Sequence, residues 1–206
     1  ITTVHMLNRN TNKYIDVTVP IDPETKSFAQ NGDCAIAGVD GTAAELNVKF
    51  LNPAGAKTGM LLPTGMCVDN LDVPGFGVIG ATILDVSNPM VLVSAADIGM
   101  DGTELPEEIN NNKEVSDLLE KIRGAACCKM GFAKDLQDAT DNSPAVPKVG
   151  FVTVPQNYID IASQKVREED MDICVRVISV FKCHKACPLT SASAISVAAA
   201  LKGSVV

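Results

Sequence analysis

From Ser191 to Leu201 the chain reads SASAISVAAAL, eleven residues with no charge and no polar side. A helix that is apolar all round belongs inside a core or inside a membrane. This one is too short for a bilayer, which takes about 20 residues. The expectation is therefore a central helix, starting near Thr190-Ser191 after Pro188 and jacketed by sheet, with the rest of the chain supplying the strands.

Those strands are legible at several places. Val4 and Met6, then Ile15, Val17 and Val19, alternate at period two around the polar stretch Asn8 to Asn12, which predicts a hairpin with an Asn-rich turn. Residues 20 to 47 read as irregular, and a strand is expected from about Glu45 to Leu51, ended by Asn52-Pro53. The segment KTGMLLPTGMCVDNL reads as a turn around Pro63-Thr64-Gly65. GVIGATILDVSNPMVLVSAADIG holds two β-branched apolar runs either side of Ser87-Asn88-Pro89. KVGFVTVP and ICVRVISVF are further strands, the second the strongest in the sequence. Between them, Leu118, Leu119, Ile122, Ala125 and Ala126 recur at helical spacing, with acidic residues early, Lys129 late and Gly131 closing, so a helix is expected from Asn112 to Met130. Residues 133 to 147 read as a polar, Pro-bearing loop, and QNYIDIASQKVREEDMD as a polar excursion. The fold class that results is α+β.

Composition narrows the function. Net charge is −8 and aromatics make up 4% of the 206 residues, with no Trp. That argues against a nucleic-acid footprint, a base-stacking surface or an anionic membrane as partner. No apolar run of about 18 residues is present, so no helical membrane span is expected. The seven cysteines are odd in number and irregularly spaced, with Cys127 and Cys128 adjacent; reduced thiols in a reducing, cytoplasmic compartment fit better than a disulfide framework. The chain begins without Met, in what reads as a strand that has lost its start, and so as a piece of a longer protein. Its organisation is expected to be a terminal hairpin over residues 1–25 and one larger domain over 26–206.

The residues ahead of the apolar helix, FKCHKACPLTS, carry the chemistry worth weighing. Cys183, His184 and Cys187 are three ligand types, but a structural zinc wants four, and neighbours on an extended segment point to opposite faces, so no metal site is expected. A helix N-terminus is an anion site through its unpaired N–H groups and its dipole. Lys182, His184 and Lys185 make this one locally basic on an acidic protein, which suits a small carboxylate or phosphate. The alternative is an ordinary helix capped by Thr190 or Ser191 under a solvated basic loop. Cys187, beside lysines and a helix start, is a candidate proton carrier with a lowered pKa, or else packing like Cys34, Cys67 and Cys174. Asn88, fixed by Pro89, could present its amide to a ligand, or mark a plain turn. GFGVIG at 75 to 80 lacks the strand before and the helix after that a dinucleotide site needs.

Taken in order, AGAKTGMLLPTGMCVDNL, ILDVSNPMVLVSAADIGMDGTEL, IRGAACCKMGF, PKVGFVTVP and VRVISVFKCHKACPLTSASAISVAAALKGSVV resemble the PrpF-like isomerases across nearly the whole chain. That family includes methylaconitate isomerase, methylitaconate isomerase and 4-oxalomesaconate tautomerase. The resemblance implies the diaminopimelate-epimerase-like fold, two similar domains each with a curved, mostly antiparallel sheet around a central apolar helix and a cleft between them. It implies most of the second domain here, and a whole protein nearly twice as long.

It also implies a cofactor-independent shift or isomerisation of a C=C bond in an unsaturated, aconitate-like di- or tricarboxylic acid, by removal and return of a proton. A small polycarboxylate would be the partner, and a homodimer is compatible with this reading. The Lys and Cys usually given the proton transfers would lie upstream of Ile1, so the catalytic groups are not expected in these residues. Ser179, His184, Thr190 and Ser191 match the family's Ser-Met-Gly-x-x-His and Thr-Gly pattern, and Asn88 its Asn-Pro element, which together imply a carboxylate-binding wall. Val180-Phe181 replaces Met-Gly and Ser191 replaces Gly, which alters the pocket. Pro188 stands where the related epimerases carry their catalytic Cys, one step from Cys187, which counts against a racemase. A non-catalytic carboxylate-binding protein of the same fold is the second reading.

Overall fold

The structure, a computed structural model, describes residues 1–36 and 39–206; Ala37 and Gly38, inside the stretch expected to be irregular, lie outside the described residues. The chain divides into two compact units, Ile1–Pro53 and Ala54–Val206.

In the first unit β1 (Thr2–Asn8) and β2 (Lys13–Val19) form the expected antiparallel hairpin, closing with Asn8 opposite Lys13 and Asn12 at a positive φ of 53°. β3 (Asn47–Phe50) pairs antiparallel with β2. The register lines up Val4, Val17 and Val48 in one row and Met6, Ile15 and Phe50 in another, one apolar face; His5, Asp16 and Lys49 lie on the other.

In the second unit β4 (Asp69–Val73) and β5 (Gly77–Val86) make a hairpin, so GFGVIG does have a strand before it, but it opens a second strand rather than a helix. β6 (Asn88–Ser94) returns beside β5 after a single-residue reversal at Ser87. The chain then crosses over through α1 (Pro106–Asn111), α2 (Lys113–Lys129) and α3 (Leu136–Asn142) to β7 (Lys148–Thr153). β7 lies parallel to β6, and parallel neighbours require such a crossover. A small two-stranded ribbon, β8 (Tyr158–Ile159) and β9 (Lys165–Val166), precedes β10 (Cys174–Ser179), β11 (Lys182–Cys183) and α4 (Leu189–Ala200). The six-stranded sheet runs β11-β10-β7-β6-β5-β4, antiparallel at every pair except β6–β7.

Both faces of this sheet are covered. Ile83, Val91, Val93, Val149, Phe151 and Ile178 pack against Ile109 of α1 and Leu119, Ile122 and Ala126 of α2. Leu84, Val86, Met90, Leu92, Val152 and Val177 pack against Ala194, Ile195 and Ala198 of α4. α2 falls where its periodicity placed it, with the Asn112 side chain accepting from Val115 N at 3.2 Å as cap. α3 lies inside residues 133–147, where a loop is expected from the sequence. It is only seven residues long and buries a single residue, Ala139, too little for a periodic signal; Asp135 caps it by accepting from Asp138 N at 2.8 Å. α1 and β4 were likewise unmarked, being six and five residues long.

α4 departs from expectation in two ways. It starts at Leu189, with Pro188 at the cap position and no side-chain cap, so Thr190 and Ser191 lie inside the first turn instead of capping it. The Pro188 carbonyl accepts the first helical bond, from Ala192 N at 2.8 Å. α4 is also not enclosed on all sides, since Leu189, Ser196, Ala199 and Ala200 are exposed. Its hydroxyls fold back along the helix instead, Ser193 Oγ donating to Leu189 O at 3.1 Å and Ser196 Oγ to Ala192 O at 2.9 Å, which leaves an apolar flank despite the serines. Among the described residues no helix is long and apolar enough to cross a membrane.

Candidate anion site at the start of α4

Five strand ends meet at one end of the larger sheet. Val86 pairs with Asn88, Met90 lies opposite Lys148, Val149 opposite Ile178, and Ser179 opposite Lys182. His184 continues β11 by donating its N–H to Val177 O at 2.8 Å. β11 is tied to α1 through Cys183 N, which donates to Asn110 Oδ1 at 2.9 Å. Strand alternation then sorts the side chains. Val149, Ile178 and Cys183 face α1 and α2, so Lys148, Ser179 and His184 face α4; Met90 faces α4, so Asn88 does too. Cys183 and His184 thus point to opposite faces.

The direction of α4 places its N-terminus at this same end. After the helix the chain turns back so that Val205 N donates to Thr82 Oγ1 at 3.0 Å, four positions along β5 from Val86, and Ser204 Oγ donates to Ala198 O at 2.7 Å. At the other end, the charge of Lys148 acts on Cys187 just ahead of the helix, which puts the start of α4 at the Lys148 end of the sheet. Ser191, 2% exposed, sits on the flank of α4 that faces the sheet, one turn before Ala194 and Ile195.

Four buried side-chain atoms lack a hydrogen-bond partner among the described residues: Ser191 Oγ, His184 Nε2 and Ser87 Oγ, all on segments that meet at this end, and Asp85 Oδ1 near the end of β5. Buried polar groups are nearly always paired, so orphans at an uncapped helix start point to a ligand. The electrostatics agree. Burial, reinforced by the positive charge of Lys148, holds the His184 imidazole below its ordinary pKa of 6.5, and burial also pulls down the Lys148 ammonium. The Cys187 thiol runs opposite to expectation. Cys187 is exposed as a residue, yet its sulphur, 3.8 Å from Pro188 O, loses enough solvent to be pushed above 9.0 despite Lys148. Desolvation outweighs the nearby Lys148 cation, and this favours the neutral thiol.

All five residues singled out in the sequence for binding (Asn88, Ser179, His184, Thr190 and Ser191) lie at this end of the second unit's sheet or in the first turn of α4. Asn88 Nδ2 donates to Pro89 O at 3.2 Å, which leaves its side-chain oxygen available as an acceptor. Lys148 and Ser87 escaped sequence reasoning. A lone Lys heading the otherwise apolar KVGFVTV was the available signal for the first; for Ser87, a buried hydroxyl in a one-residue reversal, there was none.

A second carboxylate is built differently. Asp85, fully buried, accepts from Lys57 N and Thr58 N, both at 2.7 Å, and from Thr58 Oγ1 at 3.0 Å, folding the loop after Pro53 onto the sheet. Gly55 permits that loop. Its φ is 67°, and a Cβ there would sit 2.4 Å from Gly59 C.

The comparisons with known proteins agree with one another. The chain is 37% identical over 206 residues to 3-methylitaconate isomerase of Eubacterium barkeri, covering 100% of this chain and 53% of that one. It is 36% identical over 207 residues to 2-methyl-aconitate isomerase of Shewanella oneidensis, covering 99% and 51%. It is 30% identical to (4E)-oxalomesaconate Delta-isomerase of a Novosphingobium species, covering 98% and 50%. The crystal structure of methylitaconate-delta-isomerase superposes with a TM-score of 0.91 at 36% identity, over 99% of this chain and 52% of that one. The diaminopimelate-epimerase-like α+β fold implied by the resemblance is thus the fold of the chain. The chain spans about half the length of the curated relatives it matches. The family model described as PrpF protein matches residues 1–206 throughout, and the chain belongs to that family.

Proposed function

We propose that the protein is an isomerase that moves or inverts a C=C bond in an unsaturated di- or tricarboxylic acid, and that residues 54–206 supply a carboxylate-binding wall for it. The observation that carries this reading is the uncapped start of α4, with Ser191 Oγ and His184 Nε2 buried and unpaired beside it on a protein of net charge −8. The relatives support the substrate class. Methylitaconate, methyl-aconitate and oxalomesaconate are all polycarboxylates with a double bond next to a carboxyl carbon.

The chemistry sets what such a wall must do. A proton on the carbon adjacent to the conjugated system is removed, the electron pair spreads into a dienolate, and a proton returns at another carbon. No cofactor is needed, because the carboxylates themselves acidify the proton. The extra negative charge of the dienolate must be met by preorganised donors. The first-turn N–H groups of α4, including those of Thr190 and Ser191, with Ser191 Oγ, are such donors for one carboxylate. Neutral His184 donates from one ring nitrogen without adding charge, and Ser179 and Asn88 fix a second carboxylate or its hydroxyl-bearing neighbour. Cys187, a protonated thiol, is not assigned the base role; the proton-transfer groups are expected outside residues 1–206. A reducing compartment such as the cytoplasm suits its seven unpaired cysteines.

The test is direct. The full-length protein, mixed with cis-aconitate, trans-aconitate, methylaconitate or oxalomesaconate, should change the ultraviolet absorbance of at least one conjugated acid, and the 206-residue chain alone should not. Silence with every substrate overturns the proposal, and turnover by the chain alone overturns the placement of the proton-transfer groups.

A further inference from the structure

Building on the carboxylate-site reading above, we propose that Lys148 is the fixed positive charge of that site and grips a substrate carboxylate together with Ser191 and His184. Its position follows from the sheet. β7 starts at Lys148, which lies opposite Met90 on β6 and one residue before the Val149–Ile178 pair that joins β7 to β10. It therefore stands between the Asn88 strand and the Ser179 strand, on the α4 face. Its charge reaches both His184 and Cys187, on the segment that leads into α4.

Three features mark it as more than a snorkelling lysine. It is half-buried, so its ammonium has surrendered part of its hydration. Among the described residues it forms no ion pair, which is common for this chain's exposed cations but leaves a half-buried ammonium without a counter-charge. And the same face of the sheet and the start of α4 carry Ser191 Oγ and His184 Nε2, buried and without a hydrogen-bond partner, both of which can donate to a carboxylate. A cation held partly out of water without a counter-ion is costly until an anion arrives. A carboxylate meets Lys148, the helix start and the two side chains at once, and a substrate with two or three carboxylates leaves another for Ser179 and Asn88.

The test uses tricarballylate, a saturated tricarboxylate that cannot be isomerised, titrated calorimetrically into this chain and its variants. Lys148→Met should weaken binding about ten- to a hundredfold, the loss expected of a charge-assisted contact. It should flatten the salt dependence of the affinity, and leave the ligand-free chain as stable as wild type or more so. Lys148→Arg should bind within about threefold of wild type, keeping the charge. A role in folding alone predicts the reverse pattern, lower stability with unchanged affinity. If Lys148→Met does not fold, Lys148→Gln is read by the same criteria. Wild-type binding that survives loss of the lysine overturns this inference and leaves the anion site standing. No binding by the wild-type chain overturns both.

Discussion

Val180 and Phe181 occupy left-handed backbone, with φ of 48° and 62°, in the two-residue turn between Ser179 and Lys182. A two-residue hairpin turn of this hand favours Asn-Gly, because a left-handed L-residue with a Cβ costs about 1–2 kcal/mol and a β-branched one is worse. Strain of this kind is kept where it positions something, and here it sits between Ser179 and His184. Phe181 lies at the wall of a cavity of about 280 Å³ beside Ile109, Leu119 and Ile178, an apolar neighbourhood that Val180, half exposed, does not share. Val180→Asn should therefore raise stability by about 1 kcal/mol, seen as a higher urea midpoint at unchanged slope, whereas Phe181→Gly should gain less. A midpoint lowered by Val180→Asn would show that the turn is not left-handed there.

At the scale of elements, short helices are held by single polar hubs. Arg123 on α2 is 2% exposed and grips Glu120 in a two-pronged pair through one edge of its guanidinium, Nη2 and Nε donating at 2.6 and 2.7 Å. The same side chain donates to Ala139 O at 2.9 Å and Ser143 O at 2.8 Å, the carbonyls at the end of α3, while Thr140 Oγ1 donates to Glu120 Oε1 at 2.7 Å. α3 has one fully buried residue, Ala139, and half-buried Leu136 packs over Gly124 of α2, a small apolar contact. Arg123→Ala should cost about 3–5 kcal/mol by removing the cation of a largely buried ion pair and the donor to Ser143 O, measurable by chemical denaturation. Replacement by Lys should recover only part, since an ammonium cannot reproduce the fork. A loss below about 1 kcal/mol, the value of an exposed ion pair, would refute the hub.

Across the whole molecule, burial is unevenly shared. Among the described residues every buried side chain lies in 54–206, and none in 1–53. Stability should follow burial. In hydrogen exchange on this chain, the amides of β5, β6 and β7 should exchange slowest, near the global limit, and those of β1, β2 and β3 faster by orders of magnitude. Equal protection of the two sheets would contradict this division.

Part of this protein was readable from its residues alone, because the signals are local. Alternation around Asn8–Asn12 suffices for the first hairpin, 3.6-residue periodicity for α2, and the absence of any polar side on α4 for its place against a sheet. The motifs around His184 and Asn88 marked the segments from which the site is built. Other features depend on distant partners. α3 is tied to α2 by Arg123, which reaches the Ala139 and Ser143 carbonyls, and the thiol of Cys187 rises because burial there outweighs the charge of Lys148. Lys148 reaches the α4 face, opposite Met90 and two positions from Asn88, only because β6 pairs in parallel with β7 across the crossover of residues 95–147. Spacing along a chain determines which faces are apolar; which charges share a site is decided by strand order and register, which place residues side by side that the sequence keeps far apart.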